Sequence, residues 1–177
     1  MKYLIIDDIP VHIKLLAVAL RRAEHQVETA RNLDIGWDKF KHERNIGTPF
    51  DLVVLDLTLD RKTQACAEEQ EIIRESLILR DLGDLPMSGQ AMGLWLWRQR
   101  KGLQQRYCYM SYHRYLWIPR LDGEDPEFDE SDHESRGRKI PERLLGLILE
   151  KSNLWPDNIA AVFQNAWQIW EDRKWLR

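Results

Sequence analysis

The stretch FDLVVLDL, residues 50–57, decides the fold. It is β-branched and apolar except at Asp51 and Asp56, the pattern of a strand buried on both faces. Gly47-Thr48-Pro49 supplies turn chemistry just before it. Upstream, KYLII (2–6) is a short apolar run that stops at Asp7-Asp8, as a buried strand stops at a polar mouth. Pro10 suits the first position of a helix. Val11, Leu15, Val18 and Ala19 then recur at helical spacing and predict one apolar stripe. HQVETA (25–30) alternates like a half-buried strand, and residues 33–44 read as a second helix with Trp37 and Phe40 on one side. The order β-α-β-α-β predicts a parallel sheet with helices on both faces, a doubly wound α/β fold.

Downstream the rhythm loosens. Ala67 to Leu82 is charged and helix-prone, and Gly83 to Pro86 end it. Ser88-Gly89 leads into a helix over 90–100, and RYCYMSY (106–112) predicts an aromatic strand. From Leu121 to Arg138 the chain is polar. Positions 122–134 hold eight acidic residues and no Lys or Arg, which predicts a mobile loop. LLGLILEK (144–151) reads as a last buried strand, although periodicity alone leaves a helix open. Pro156 and Asp157 open a final helix with Ile159, Val162, Phe163, Ala166 and Trp170 on one face.

Composition narrows the function classes. A length of 177 residues with 44% hydrophobic and 31% charged residues is an ordinary globular mixture, read as one domain spanning 1–177. A net charge of −3 argues against a general nucleic-acid surface. Two cysteines, Cys66 and Cys108, make no disulfide framework. The early acids interrupt any signal-peptide core, and no apolar run nears the roughly 18 residues of a membrane helix, so a cytoplasmic location without membrane contact is expected. Of the eight Trp, five lie beyond position 116. Packing is the first expectation for them and a partner surface the second.

In an open α/β sheet, ligands bind at the carboxyl ends of the strands near a switch point. Those ends carry Asp7 and Asp8, then Asp56, then Ser111, then Lys151. Taken in order, LIIDD, DLVVLDLTL, the SG-led helix, YCYMS and LILEKS resemble the five marks of the response-regulator receiver, from residue 2 to about 172. That resemblance implies a flavodoxin-like, five-stranded parallel sheet in three α/β/α layers. It also implies a phosphoryl group accepted on Asp56 and a Mg²⁺ ion. Asp8 and Asp56 would hold the ion directly, Asp7 through water, and the Leu57 carbonyl would complete the protein share. Ser111 and Lys151 would bind and sense the phosphoryl oxygens. Thr58, Tyr112 and His113 flank the site and would govern access, and Ile148 stands where the family's switch aromatic belongs. Tyr115 or Trp117 would then supply an aromatic elsewhere. Lys139, ahead of Ile140-Pro141, competes with Lys151 for the lysine role.

The resemblance implies partners as well: a sensor histidine kinase or phosphotransfer protein as donor, a downstream protein partner, and, at the level of the family, a homodimer. No room for a separate output domain is expected beyond the final helix, so output would run through protein contact, or the sequence is a fragment of something longer. Residues 60–87 and 113–143 are longer than a minimal receiver needs and read as insertions. The first would cap or gate the pocket or dock a partner, or would be a neutral surface loop. A pseudo-receiver acting without phosphorylation is the alternative. A haloacid-dehalogenase-like phosphatase fits less well, because Thr58 stands where its second Asp is needed.

Overall fold

The computed structural model describes residues 1–59, 63–129 and 140–177. Five parallel strands form one sheet: β1 (Lys2–Ile6), β2 (Gln26–Ala30), β3 (Leu52–Asp56), β4 (Tyr107–Ser111) and β5 (Ile148–Glu150). Their spatial order is β2-β1-β3-β4-β5. This is the flavodoxin-like doubly wound order, and its direction of winding reverses between β1 and β3. Every residue of β3 is buried, as expected for a central strand covered on both faces. The helices are α1 (Pro10–Arg22), α2 (Leu33–Asn45), α3 (Ala67–Leu79), α4 (Ser88–Leu103) and α5 (Ile159–Arg173). Helices α1 and α5 pack together, while α2 and α3 both contact α4. No helix among the described residues is long and apolar enough to cross a membrane.

Four local expectations need correction. The stripe on α1 is not the buried one. His12, Ile13, Leu16, Ala17 and Leu20 face the core, while Val11 is 79% exposed and Leu15 and Val18 are also exposed. Both sets satisfy a helical period, and only contact with β1 and α5 selects between them. Second, the predicted last strand is short. Residues 142–144 form a 3₁₀ turn, β5 covers three residues, and Lys151 opens another 3₁₀ turn. Third, α5 begins at Ile159, because Trp155 to Asn158 close a turn first.

The fourth correction is the largest. The acid-rich stretch is no mobile loop over 121–129: Glu127 and Phe128 are buried there. Phe128 and Asp129 both adopt left-handed backbone (φ 58° and 55°), which costs roughly 1–2 kcal/mol for such residues. Phe128 offsets that cost by packing among Trp97, Tyr107, Trp117, Trp170 and Trp175 at centroid distances of 5.3–6.3 Å. The Arg100 guanidinium grips Asp125 with two hydrogen bonds of 2.6 and 2.9 Å. The remainder of that acidic run, and Lys139, lie outside the described residues.

Both long segments leave the sheet at the carboxyl ends of β3 and β4. The first builds α3 on the flank of α4, with Gln64 and Ala65 tied by their N–H groups to Asp34 at the start of α2. Among the described residues the β4-to-β5 crossover contains only 3₁₀ turns. Most of the tryptophans serve packing. Trp97, Trp117, Trp170 and Trp175 are buried, and Trp37 meets Trp95 edge-on at 4.5 Å between α2 and α4.

Candidate functional site

Strands β1 and β3 lie side by side in register, so the residue after β1 and the last residue of β3 emerge at the same mouth. Asp7 and Asp56 are both buried there, and Asp8 is half-buried. Each of the three offers one carboxylate oxygen, and these oxygens all lie within 4.8 Å of one another. Burying such a set needs positive charge. Lys151, itself buried, supplies it: Nζ stands 2.7 Å from Asp56 Oδ2 and 2.9 Å from Asp7 Oδ2. The apolar run 147–149 and Glu150 lead into this lysine, which follows the end of β5 beside β4.

The two carboxylates titrate in opposite directions. Burial pushes Asp56 up to about 6, although Lys151 pulls it back. Burial alone would raise Asp7 too. The hydrogen bond from His12 and the charge of Lys151 outweigh that effect and hold Asp7 below the usual carboxylate range. Lys151 loses solvation on burial, yet Asp56 and Asp7 together raise it. Asp7 Oδ1 accepts the Ile9 N–H at 2.9 Å and Oδ2 accepts from His12 Nδ1 at 2.7 Å. Asp56 Oδ1 accepts a longer bond, 3.3 Å, from the Thr58 N–H.

Ser111 closes β4 one residue beyond Met110, which is the register partner of Asp56. It is buried, and its Oγ accepts the His113 N–H at 3.0 Å. Tyr112 is half out in solvent, and its ring lies over Lys151, with Nζ 5.4 Å from the centroid. Leu57 is buried behind Asp56, with its N–H donated to Met110 O. Ile148 is wholly buried in β5 opposite Tyr109. Trp117 is buried away from solvent, and Tyr115 is exposed beside His113.

The start of α4 sits hard against this site. A Cβ on Gly89 would stand 1.7 Å from the Asp56 carbonyl oxygen and 3.1 Å from that of Leu57. Only glycine permits so close an approach, which gives the Ser88-Gly89 pair its physical meaning. Two functional-looking residues were not legible in the sequence. His12 carries no motif of its own, and only its place five residues after Asp7 hints at it. Glu127 is hidden inside the acidic run.

The donor set fits a hard divalent cation. Its offered ligands are oxygen only, its formal charge is negative, and one oxygen from each carboxylate lies within 4.8 Å of the others.

No family model and no curated protein matches the sequence. Solved structures align along almost the whole chain. One is the N-terminal domain of a response regulator/sensory box/GGDEF 3-domain protein from Carboxydothermus hydrogenoformans, with 12% identity, 98% of this chain and 99% of that chain covered, and TM-score 0.46. Another is a response regulator receiver domain protein from Clostridium thermocellum, at 15% identity, 99% and 98% coverage, and TM-score 0.46. A third is NtrX from Brucella abortus, at 16% identity, 98% of this chain but 27% of that one, and TM-score 0.46. At these identities and TM-scores the likeness adds nothing to the strand order, on which the fold assignment rests.

Proposed function

We propose that the chain is a phosphorylation-controlled signalling receiver whose acceptor is Asp56. One observation carries this reading: a single buried lysine bridges the two buried carboxylates at the switch point of a doubly wound sheet. A structural ion pair has little reason to sit at that mouth, whereas a site for an incoming dianion needs a cation already in place.

In this reading Asp56 Oδ1, which accepts the long Thr58 N–H contact, attacks the phosphorus of a phosphohistidine. The new bond is an acyl phosphate, and the donor nitrogen leaves with the electron pair of the broken P–N bond. Lys151 then follows the phosphoryl oxygens, and Ser111 offers its hydroxyl to one of them. Asp8, Asp56 and the Leu57 carbonyl would hold Mg²⁺, with Asp7 assisting through water. The bound cation would supply charge neutralisation for the three equatorial oxygens. Tyr112 narrows the approach over Lys151, while Thr58 and His113 border the path of water to the acyl phosphate. The chain accepts a group and turns over no separate substrate, apart from slow self-dephosphorylation.

The donor would be a sensor histidine kinase or a phosphotransfer protein, and output would pass to a downstream protein by contact in the cytoplasm, without nucleic acid or membrane. Ile148 in β5 and the 3₁₀ crossover between β4 and β5 favour one second reading, a pseudo-receiver that binds its partner regardless of phosphorylation.

The test is incubation with MgCl₂ and acetyl phosphate, followed by intact-mass measurement. Wild-type protein should gain one acid-labile phosphoryl group and Asp56→Asn should gain none. A wild-type chain that stays unmodified, with or without beryllofluoride-induced change in its Trp fluorescence, would leave the pseudo-receiver as the better description.

A further inference from the structure

The proposed chemistry uses Asp7, Asp8, Asp56, Ser111 and Lys151, and leaves one buried polar group beside them without a role. His12 lies in the first turn of α1 and is only 8% exposed. Its Nδ1 is 2.7 Å from Asp7 Oδ2. The Asp7 carboxylate can only accept, so Nδ1 carries the hydrogen and donates. Nε2 is buried with no hydrogen-bond partner among the described residues. The ring centroid lies 6.1 Å from that of Tyr112, whose ring covers Lys151.

A buried imidazole with one orphan nitrogen is a poor choice for packing alone. A leucine would fill the same space without an unsatisfied polar atom. What the imidazole contributes is its grip on Asp7. Three donors hold that carboxylate: the Ile9 N–H, His12 and Lys151. If Lys151 moves toward a phosphoryl group, one of the three is lost, and a side chain fixed only by Ile9 would be free to rotate. His12 keeps it in place.

We infer that His12 is a positioning residue for the acidic pocket, holding the Asp7 carboxylate in the orientation that a divalent cation requires. The inference rests on the proposed receiver reading, because that reading supplies the cation. Partners that orient a carboxylate from behind set metal affinity without touching the metal, and their loss typically weakens binding by roughly 10- to 100-fold.

Amide isosteres separate this role from a structural one. The Asn side-chain nitrogen overlays Nδ1 of histidine, whereas the longer Gln amide overlays Nε2. His12→Asn should therefore keep the hydrogen bond to Asp7, and His12→Gln and His12→Leu should lose it. The measurement is isothermal titration of each full-length protein with MgCl₂, beside thermal unfolding of the metal-free proteins. Expected is a Mg²⁺ affinity near wild type for His12→Asn and one weaker by roughly 10- to 100-fold for His12→Gln and His12→Leu. The unfolding midpoint of His12→Leu should not track that loss. Should His12→Leu fail to fold, the Asn and Gln pair alone decides. Equal affinities for Asn and Gln variants overturn the role given to His12. A wild-type protein that takes up no Mg²⁺ instead overturns the receiver reading beneath it.

Discussion

Two buried carboxylate clusters lie within one small domain-sized chain and solve the same electrostatic problem differently. At the mouth, Asp7 and Asp56 share the single full charge of Lys151. Behind β4, Glu127 is held by neutral donors. Its carboxylate accepts hydrogen bonds from Tyr107, from Tyr109 at 2.6 Å and from Trp117 Nε1 at 3.0 Å. Burial pushes Glu127 up to about 7, and those three donors only partly restrain it. The first cluster keeps charge that can be redirected to a ligand. The second trades charge for neutral hydrogen bonds and fixes a loop. Exchangeable charge belongs to a site, and satisfied neutral donors belong to a core.

Breaking the second cluster should have the largest effect on stability. Glu127→Ala removes the carboxylate that accepts from three buried donors and leaves Tyr109 only a longer contact, 3.4 Å, to the Gln90 carbonyl; each lost acceptor is worth roughly 1–3 kcal/mol. Water entering the gap softens the sum, so a loss of about 4 kcal/mol is expected in urea unfolding followed by Trp fluorescence. If the loss stays below about 1 kcal/mol, the 121–129 segment is not held through Glu127.

Next comes the mouth. Lys151→Met removes the only cation that bridges Asp7 and Asp56 among the described contacts and should cost about 2–3 kcal/mol in metal-free buffer, limited by proton uptake on Asp56. Added MgCl₂ should raise the melting temperature of this variant more than that of wild type. Equal shifts in the two proteins would argue that cation and lysine do not share the same carboxylates.

Gly89→Ala ties the site to the helical layer. Its Cβ meets backbone, not a movable side-chain tip, so α4 or β3 must shift at a cost of about 2 kcal/mol. The rate of labelling by acetyl phosphate should fall with it, because the clash falls on the peptide of the acceptor itself. Labelling at the wild-type rate would show that Asp56 tolerates movement of α4.

The smallest effect is the dependence of stability on pH. Glu127 is raised above its ordinary value, so its contribution is complete below about pH 4.5 and is lost as the pH rises through about 7. Asp56, raised to about 6, acts in the same direction, and Asp7, lowered, acts in the opposite one by losing stability under acid. Comparison with Glu127→Gln isolates the first contribution. Wild type should lose about 1 kcal/mol more than the variant between about pH 5.5 and 7 in urea titrations. Parallel curves would mean that the Glu127 carboxyl titrates lower than its burial implies.

The contrast also explains what was legible. Residues of the mouth sit at the ends of continuous apolar runs: IIDD after β1, VVLD in β3, LILEK through β5. An acid or a lysine that interrupts such a run is conspicuous, and the doubly wound topology sends those ends to one place. That is why Asp56 and Asp7 stood out in the sequence, while Lys151 still competed with Lys139. His12 and Glu127 could not, because neither interrupts anything. His12 lies on a helix with two competing apolar stripes, and Glu127 lies in a run whose composition signals disorder.

By itself the sequence determined the first three strands of a parallel α/β fold and the acids at their ends, because strand periodicity and strand termination are local properties; the fifth strand and its lysine rested on the resemblance. Tertiary structure alone decided which face of α1 is buried, that residues 121–129 enter the core, and that Lys151 rests between Asp7 and Asp56. Each of those outcomes depends on partners far away along the chain, 95 residues in the case of Lys151 and Asp56, and no local pattern encodes a distance between segments.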